Sequence, residues 1–428
     1  MKFLHISTGD NRGAFSGAYR LHRNLIECGH ESFMFVGNKT VNDPTVMAPA
    51  RLFQRARFFL EKIFSQIAKR IFGIDVQVSR IFKSNIGFVP TFEVLRKIKT
   101  IKPDLVIVYY VADFLSEHQL LEIQKTTESP VVFYLMDMGM LTGACHYAWS
   151  CKGYQSDCSD CPMTKSWAIK KMISMKWKSR KNNYDQIRPI IVSGSEQLSE
   201  QVKFSSLTRT LDLHKILMGV NPETYSPDNR NAARKHFSFA NDDIVLYFGA
   251  QNVDDKRKGF SYLVAALKIL NESLPKEELD RVCLFTIGSG DPIKKHNFSF
   301  KHIHLPFISD QALFSKTYAA ADVFICPSVE DSGPMMVNES MMSGTPVVAF
   351  DLGVAKDLVI SGETGYKLPE INSSELASAL ATFVRLSDEE RARMKKNCRD
   401  VAISSCSMEQ QVQSFVALAE NHGRKWTA

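Results

Sequence analysis

The 428-residue sequence has no uncharged apolar run approaching the ~18 residues of a transmembrane helix, so no spanning segment is expected. It has no short-period repeat and no low-complexity tract, and its composition excludes collagen-like and disordered classes. No G-x-G-x-x-G is present, which removes the dinucleotide fingerprint. No Asp-x-Asp is present either, so a catalytic divalent metal is not expected. Nine cysteines are an odd number, which argues against a pure disulfide framework. The first residues, MKFLHISTGD, turn polar too early for a secretory signal, and the expectation is a cytoplasmic protein.

What is present is ordinary in total and uneven in distribution. Lys and Arg number 53 against 46 Asp and Glu, a net charge of +7. Residues 51–70 alone carry +5 and residues 165–181 carry +7, which leaves the remainder at −5. Two local patches suit anionic docking partners better than a nucleic-acid face, and no nucleic-acid partner is expected.

The apolar pattern divides the chain into two halves. Segments 1–7 and 31–37 flank a helical stretch with Ala18, Leu21, Leu25 and Ile26 at helical spacing, a βαβ signature. Further continuous apolar runs at 104–111, 130–135 and 188–193 fit strands buried on both faces of a parallel sheet. After a linker-like stretch at 216–228, a second series follows at 244–249, 282–288, 302–305, 322–326 and 346–350. The reading is an α/β protein of two Rossmann-like, doubly wound domains facing a central cleft. They span 1–215 and 216–408, with a C-terminal helix at 409–428 packing back on the first.

The stretch 327–349, PSVEDSGPMMVNESMMSGTPVVA, places Glu330 and Asp331 after a strand and Glu339 in the helix that follows. Carboxylates there accept hydrogen bonds from sugar hydroxyls, while helix N-terminal amides face a phosphate. A helix cap and a solvated glutamate are the plainer alternative. Upstream, Lys256-Arg257-Lys258-Gly259 opens a helix after a strand, a suitable pyrophosphate clamp.

Together and in this order, these motifs resemble the donor site of the retaining glycosyltransferases of family 4, which have the two-Rossmann GT-B fold. The resemblance covers about residues 1–30 and 130–420 and is strongest in the second half. It implies that Glu339 binds the nucleotide ribose. It implies that Asp331, Ser332, Gly333, Pro334 and Met335 meet the donor sugar and its phosphate. Lys258, with Arg257, would contact the diphosphate, and Gly288 and Gly290 would allow the donor to approach a strand end. The donor would be a UDP- or GDP-linked sugar. Two departures stand out: Asn252 occupies a place where an Arg is frequent, and Met136-Asp137 replaces a His-Asp pair.

In the acceptor half, Gly13 and Gly17 read as a close-approach turn before the first helix, beneath the donor phosphate. Asp137 is a candidate acceptor base, with a helix cap as the alternative. Cys145, Cys151, Cys158 and Cys161 lie within 17 residues, and the C-x-x-C half-site suits a structural zinc knuckle in which His146 could replace one thiol. Free or disulfide-forming thiols are the other reading. The cluster resembles a cysteine-bearing insertion of a bacterial polysaccharide-assembly branch of the family.

Residues 51–71 place Leu52, Ala56, Phe59, Ile63, Ile67 and Ile71 on one helical face, as in an interfacial membrane helix, or in a helix packed on its own domain. In 165–181, Trp167 and Trp177 stand among seven cations, which suits anionic headgroups. The expectation is therefore a glycosyltransferase acting on a glycan or polyprenyl-linked acceptor in surface polysaccharide synthesis, peripheral on the inner face of the plasma membrane. The alternative is a catalytically silent GT-B protein that binds a glycan or a partner. Glu339→Ala is expected to weaken donor binding and leave the fold intact.

Overall fold

Short, wholly apolar strands need cover on both faces, and the segments between them supply it as helices. The structure is a computed structural model describing residues 1–10, 14–54, 89–112, 114–252, 254–290, 293–294, 296–333 and 335–423. The chain divides into two units, Met1–Ile216 with the C-terminal segment from Gln411, and Leu217–Gln410.

The first unit runs β1 (Lys2–Gly9), α1 (Ala14–Glu27), β2 (Glu31–Asn38), β3 (Val46–Met47), α2 (Thr91–Ile98), β4 (Leu105–Val108), α3 (Glu117–Thr127), β5 (Val131–Leu135), α4 (Trp167–Ile187), β6 (Ile190–Ser193), α5 (Glu196–Phe204) and β7 (Leu213–Lys215). Its sheet has the order β3-β2-β1-β4-β5-β6-β7, with every neighbouring pair parallel. Side chains set the helix starts. Ser116 and Gln119 form a reciprocal capping box before α3, and Ser195 caps α5.

The second unit runs α6 (Arg230–His236), β8 (Ile244–Ala250), α7 (Phe260–Ser273), α8 (Lys276–Leu279), β9 (Val282–Gly288), β10 (Lys301–Leu305), α9 (Gln311–Ala320), β11 (Val323–Cys326), α10 (Met335–Met342), β12 (Val347–Phe350), α11 (Ala355–Leu358), β13 (Gly365–Leu368), α12 (Ser373–Arg385) and α13 (Asp388–Cys406). Its parallel sheet has the order β10-β9-β8-β11-β12-β13. A last helix, α14 (Met408–Gly423), carries Gln411 and Phe415 onto Tyr134 of β5, by a 3.0 Å hydrogen bond and a 5.2 Å ring contact.

Two local readings change. Gly17 is buried inside α1 and not in a turn before it, because the helix begins at Ala14. Gly13 lies outside the described residues. Just before the linker-like stretch, Leu213–Lys215 forms the edge strand β7, which two polar residues of three had concealed.

One buried carboxylate organises the second unit. Asp322, just before β11, accepts from Arg230 at 2.6 Å, Arg234 at 3.1 Å, Lys395 at 2.7 Å and the Val245 amide at 2.9 Å. Burial opposes its charge, but Lys395 and Arg230 prevail and hold the carboxyl well below the usual carboxylate range. A depressed folded-state pKa contributes stability above the unfolded value and loses it as pH falls toward the folded one. Asp322→Asn is expected to destabilise this unit by ~3–5 kcal/mol, because three cations lose their buried counter-charge. Chemical denaturation at pH 7 measures it, and the gap to wild type should narrow below the usual carboxylate range.

Candidate active site

In a doubly wound sheet, ligands bind beyond the carboxyl ends of the strands, where the strand order reverses. In the second unit that point lies between β8 and β11. The loops after β8, β9 and β11 converge there because two glycines remove the obstacle of a Cβ. At Gly259, φ is +65° and a Cβ would stand 1.7 Å from the Pro327 carbonyl oxygen. At Gly288, a Cβ would stand 2.1 Å from the Ala250 oxygen. The first two loops named by these contacts are also tied directly, since the Val329 amide donates to the Arg257 carbonyl at 2.8 Å.

That approach brings Lys258 to Asp331, with Nζ 2.6 Å from Oδ2. Burial would lower the Lys258 pKa, but the charge and hydrogen bond of Asp331 outweigh it and hold the ammonium above its ordinary value. Asp331 Oδ1 accepts from the Gly333 amide at 3.3 Å. Ser332 is buried beside it, Met335 begins α10, and Pro334 lies outside the described residues. Arg257 turns to Asp255 at 2.5 Å. Glu330 has a raised pKa, from burial first and then from the Asp331 charge, with Arg257 opposing. Gly290 follows β9 in a left-handed conformation, φ +75°, with no heavy atom within 4 Å of its would-be Cβ. Asn252 caps its own turn by accepting from the Asp254 amide.

Glu339 is 3% exposed, one turn into α10. Its Oε1 accepts from Tyr225 at 3.1 Å and its Oε2 from Tyr318 at 3.0 Å. Sequence reasoning saw the carboxylate but not these tyrosines, whose partnership spans more than a hundred residues in one case.

In the first unit, the carboxyl end of β5 leads to Asp137. Its Oδ1 caps the short turn that follows by accepting from the Gly139 amide at 2.7 Å, and its Oδ2 lies 2.8 Å from His146 Nδ1. Asp137 is thus both the cap of the plainer reading and the holder of an imidazole. The His146 ring lies tilted against Tyr110, just after β4, with ring centroids 5.1 Å apart. The imidazole beside Asp137 thus comes from the cysteine-bearing segment. Its only sequence signal was a histidine beside Cys145. Arg180 of α4 fixes the loop, donating to Glu117 at 2.7 Å and to the Thr142 carbonyl at 2.6 Å. Burial opposes the Arg180 charge, and Glu117 restores it above the ordinary value.

Cys145, Cys151, Cys158 and Cys161 are free thiols lining one cavity of about 20 Å³, room for a single ion. Cys158 Sγ accepts from the Gly143 amide at 3.2 Å, and burial pushes its thiol up to about 12. The donor set suits zinc, but no three of these sulfurs lie within 4.8 Å of one another. Thiolates on one tetrahedral zinc, with bonds of ~2.3 Å, would stand roughly 3.8 Å apart. The segment would have to contract to ligate. His146 Nδ1 is committed to Asp137, and His146 does not line the thiol cavity.

The basic stretch 165–181 is partly interior. Lys176 and Arg180 are buried, Trp177 packs against the core, Lys170 pairs with Asp160 and Lys181 with Asp185. Trp167 is 72% exposed beneath Lys171. Of 51–71, residues 51–54 are helical and the rest lies outside the described residues. No described helix is long and apolar enough to cross a membrane.

Two doubly wound parallel sheets in succession define the GT-B class of α/β protein. Residues 228–401 match the family model described as glycosyl transferases group 1. The phosphatidyl-myo-inositol mannosyltransferase of Mycobacterium leprae is 34% identical over 146 residues, covering 33% of this chain and 37% of that protein. The chain thus spans little more than a third of that relative's length. Sucrose-phosphate synthase from Thermosynechococcus elongatus superposes with a TM-score of 0.67 at 16% identity, covering 98% of each chain. Anabaena Alr3699/HepE in complex with UDP-glucose gives 0.62 at 15% identity, covering 98% of this chain and 100% of that one. These likenesses carry the fold.

The geometry adds a stability cost to the expected outcome of Glu339→Ala. Truncation removes the Glu339 acceptor from two buried tyrosine hydroxyls, so a stability loss of ~1–3 kcal/mol is expected. Thermal or chemical denaturation checks it, and Glu339→Gln, which can still accept one bond, should lose less.

Proposed function

We propose that the protein is a retaining glycosyltransferase that moves a sugar from a nucleotide-diphosphate sugar to a hydroxyl of a glycan or lipid-linked glycan in bacterial surface polysaccharide synthesis. The observation that carries this reading is the Lys258–Asp331 pair at the switch point of the second sheet. The group 1 family match over the same unit supports it. A UDP-sugar is the preferred donor, since Anabaena Alr3699/HepE, of the same fold, is in complex with UDP-glucose.

In this reading Lys258 is a preorganised cation for the departing diphosphate. Asp331 holds the ammonium charged and aimed, and the first amides of α10 add positive potential. Glu339 takes the ribose hydroxyls. The acceptor hydroxyl attacks on the face from which the diphosphate leaves. A phosphate oxygen accepts its proton, so configuration is retained without an enzymic nucleophile. The protein supplies position and charge stabilisation. His146, held by Asp137, presents an imidazole on the acceptor side. On this reading the cysteine segment contracts around a structural zinc held by the four thiols. The protein works in the cytoplasm, peripheral to the membrane, with Trp167 and the exposed lysines around it as the contact.

Lys258→Ala should lower kcat/KM for sugar transfer roughly 10²–10³-fold. Lys258→Arg, which keeps the charge, should lose less. Activity of Lys258→Ala within about twofold of wild type would sink the assignment. Elemental analysis should find zinc in purified protein, with one equivalent lost on replacing Cys158 and Cys161 with Ser; an unchanged zinc content and stability in that variant would refute that site.

A further inference from the structure

A second group of metal-ligating side chains lies at the opposite end of the first sheet, away from the carboxyl ends of its strands. Asp212 stands just before β7, His214 lies within that edge strand, and His422 occupies the last turn of α14. Their ligand atoms all lie within 4.8 Å of one another. Asp212 Oδ2 is 3.3 Å from His214 Nε2 and 3.4 Å from His422 Nε2. The two imidazoles meet edge to face, with centroids 5.8 Å apart.

These spacings have a simple reading. Ligand atoms bound at ~2.0–2.1 Å to a tetrahedral cation stand roughly 3.3 Å apart along each edge. They are long for hydrogen bonds, and His214 Nε2 is in fact a buried nitrogen with no hydrogen-bond partner. Such an atom loses its water on folding and gains nothing in return, unless something else takes its lone pair.

We propose that Asp212, His214 and His422 bind a divalent transition metal, with zinc the natural occupant of a set of two imidazoles and one carboxylate. The imidazoles bind through Nε2, and the carboxylate through Oδ2. Three protein ligands leave a fourth position for water. Asp212 and His422 also line a cavity of about 500 Å³ at the amino ends of β5, β6 and β7, with Arg188 and Thr210 in its wall. The metal would tie the end of α14 to the edge strand of the sheet. Residues 208 apart in the chain would be joined, in a place where β7 has only three residues to anchor it. This site shares no residue with the candidate active site or the cysteine cavity.

Metal-free full-length protein, titrated with zinc chloride by calorimetry, tests this. Wild type should take up one more equivalent than Asp212→Ala or His422→Ala, or bind that equivalent at least roughly tenfold more tightly. Its melting temperature should rise with zinc more than that of either variant. Cobalt(II) at the equivalent lost in the variants should show no thiolate charge-transfer band, which separates it from metal held by cysteines. Equal stoichiometry, affinity and zinc response in wild type and variants would overturn the proposal. A thiolate band on every bound cobalt would do so as well. If His422→Ala fails to fold, Asp212→Ala carries the comparison, since that carboxylate is 53% exposed.

Discussion

The candidate donor site depends on a missing side chain. A Cβ at position 259 would overlap the Pro327 carbonyl, so only glycine lets the loop after β8 lie against the loop after β11. Everything chemical in the second unit follows from that approach. The Val329 amide reaches the Arg257 carbonyl, and Lys258 reaches Asp331. An ammonium held by a buried carboxylate is charged and oriented before any ligand arrives. That is the condition under which electrostatic stabilisation costs no reorganisation.

Beneath this pair, two buried carboxylates do different work. Asp322 gathers Arg230, Arg234 and Lys395 around the root of β11, the strand that delivers the Asp331 loop. Glu339 joins Tyr225 and Tyr318 inside α10's contact with the core. Neither charge is left without partners, as burial demands. In the first unit the same economy appears at Arg180, which spends a cation of the basic stretch on holding the loop that positions Asp137 and His146.

The architecture was legible because parallel strands announce themselves as continuous apolar runs. Segments such as IVLYFG and VCLFTIG leave little ambiguity, and Lys258, Asp331 and Gly259 carry a motif with a mechanism. What escaped was non-local. β7 is three residues with two polar side chains, invisible to a search for apolar runs. The tyrosines on Glu339 and the imidazole on Asp137 are brought there by the fold. The charge of residues 165–181 lies only partly on the surface, because composition does not record that Lys176 and Arg180 are buried.

The central claim is that the site at the β8–β11 switch point binds and activates a nucleotide-diphosphate sugar. The direct measurement is donor hydrolysis by the wild-type protein across a panel of UDP- and GDP-linked sugars, without acceptor. The account predicts slow release of the nucleoside diphosphate from one donor class, UDP-sugars first, with saturation at rising donor concentration. Failure of every donor to turn over or to bind would contradict it.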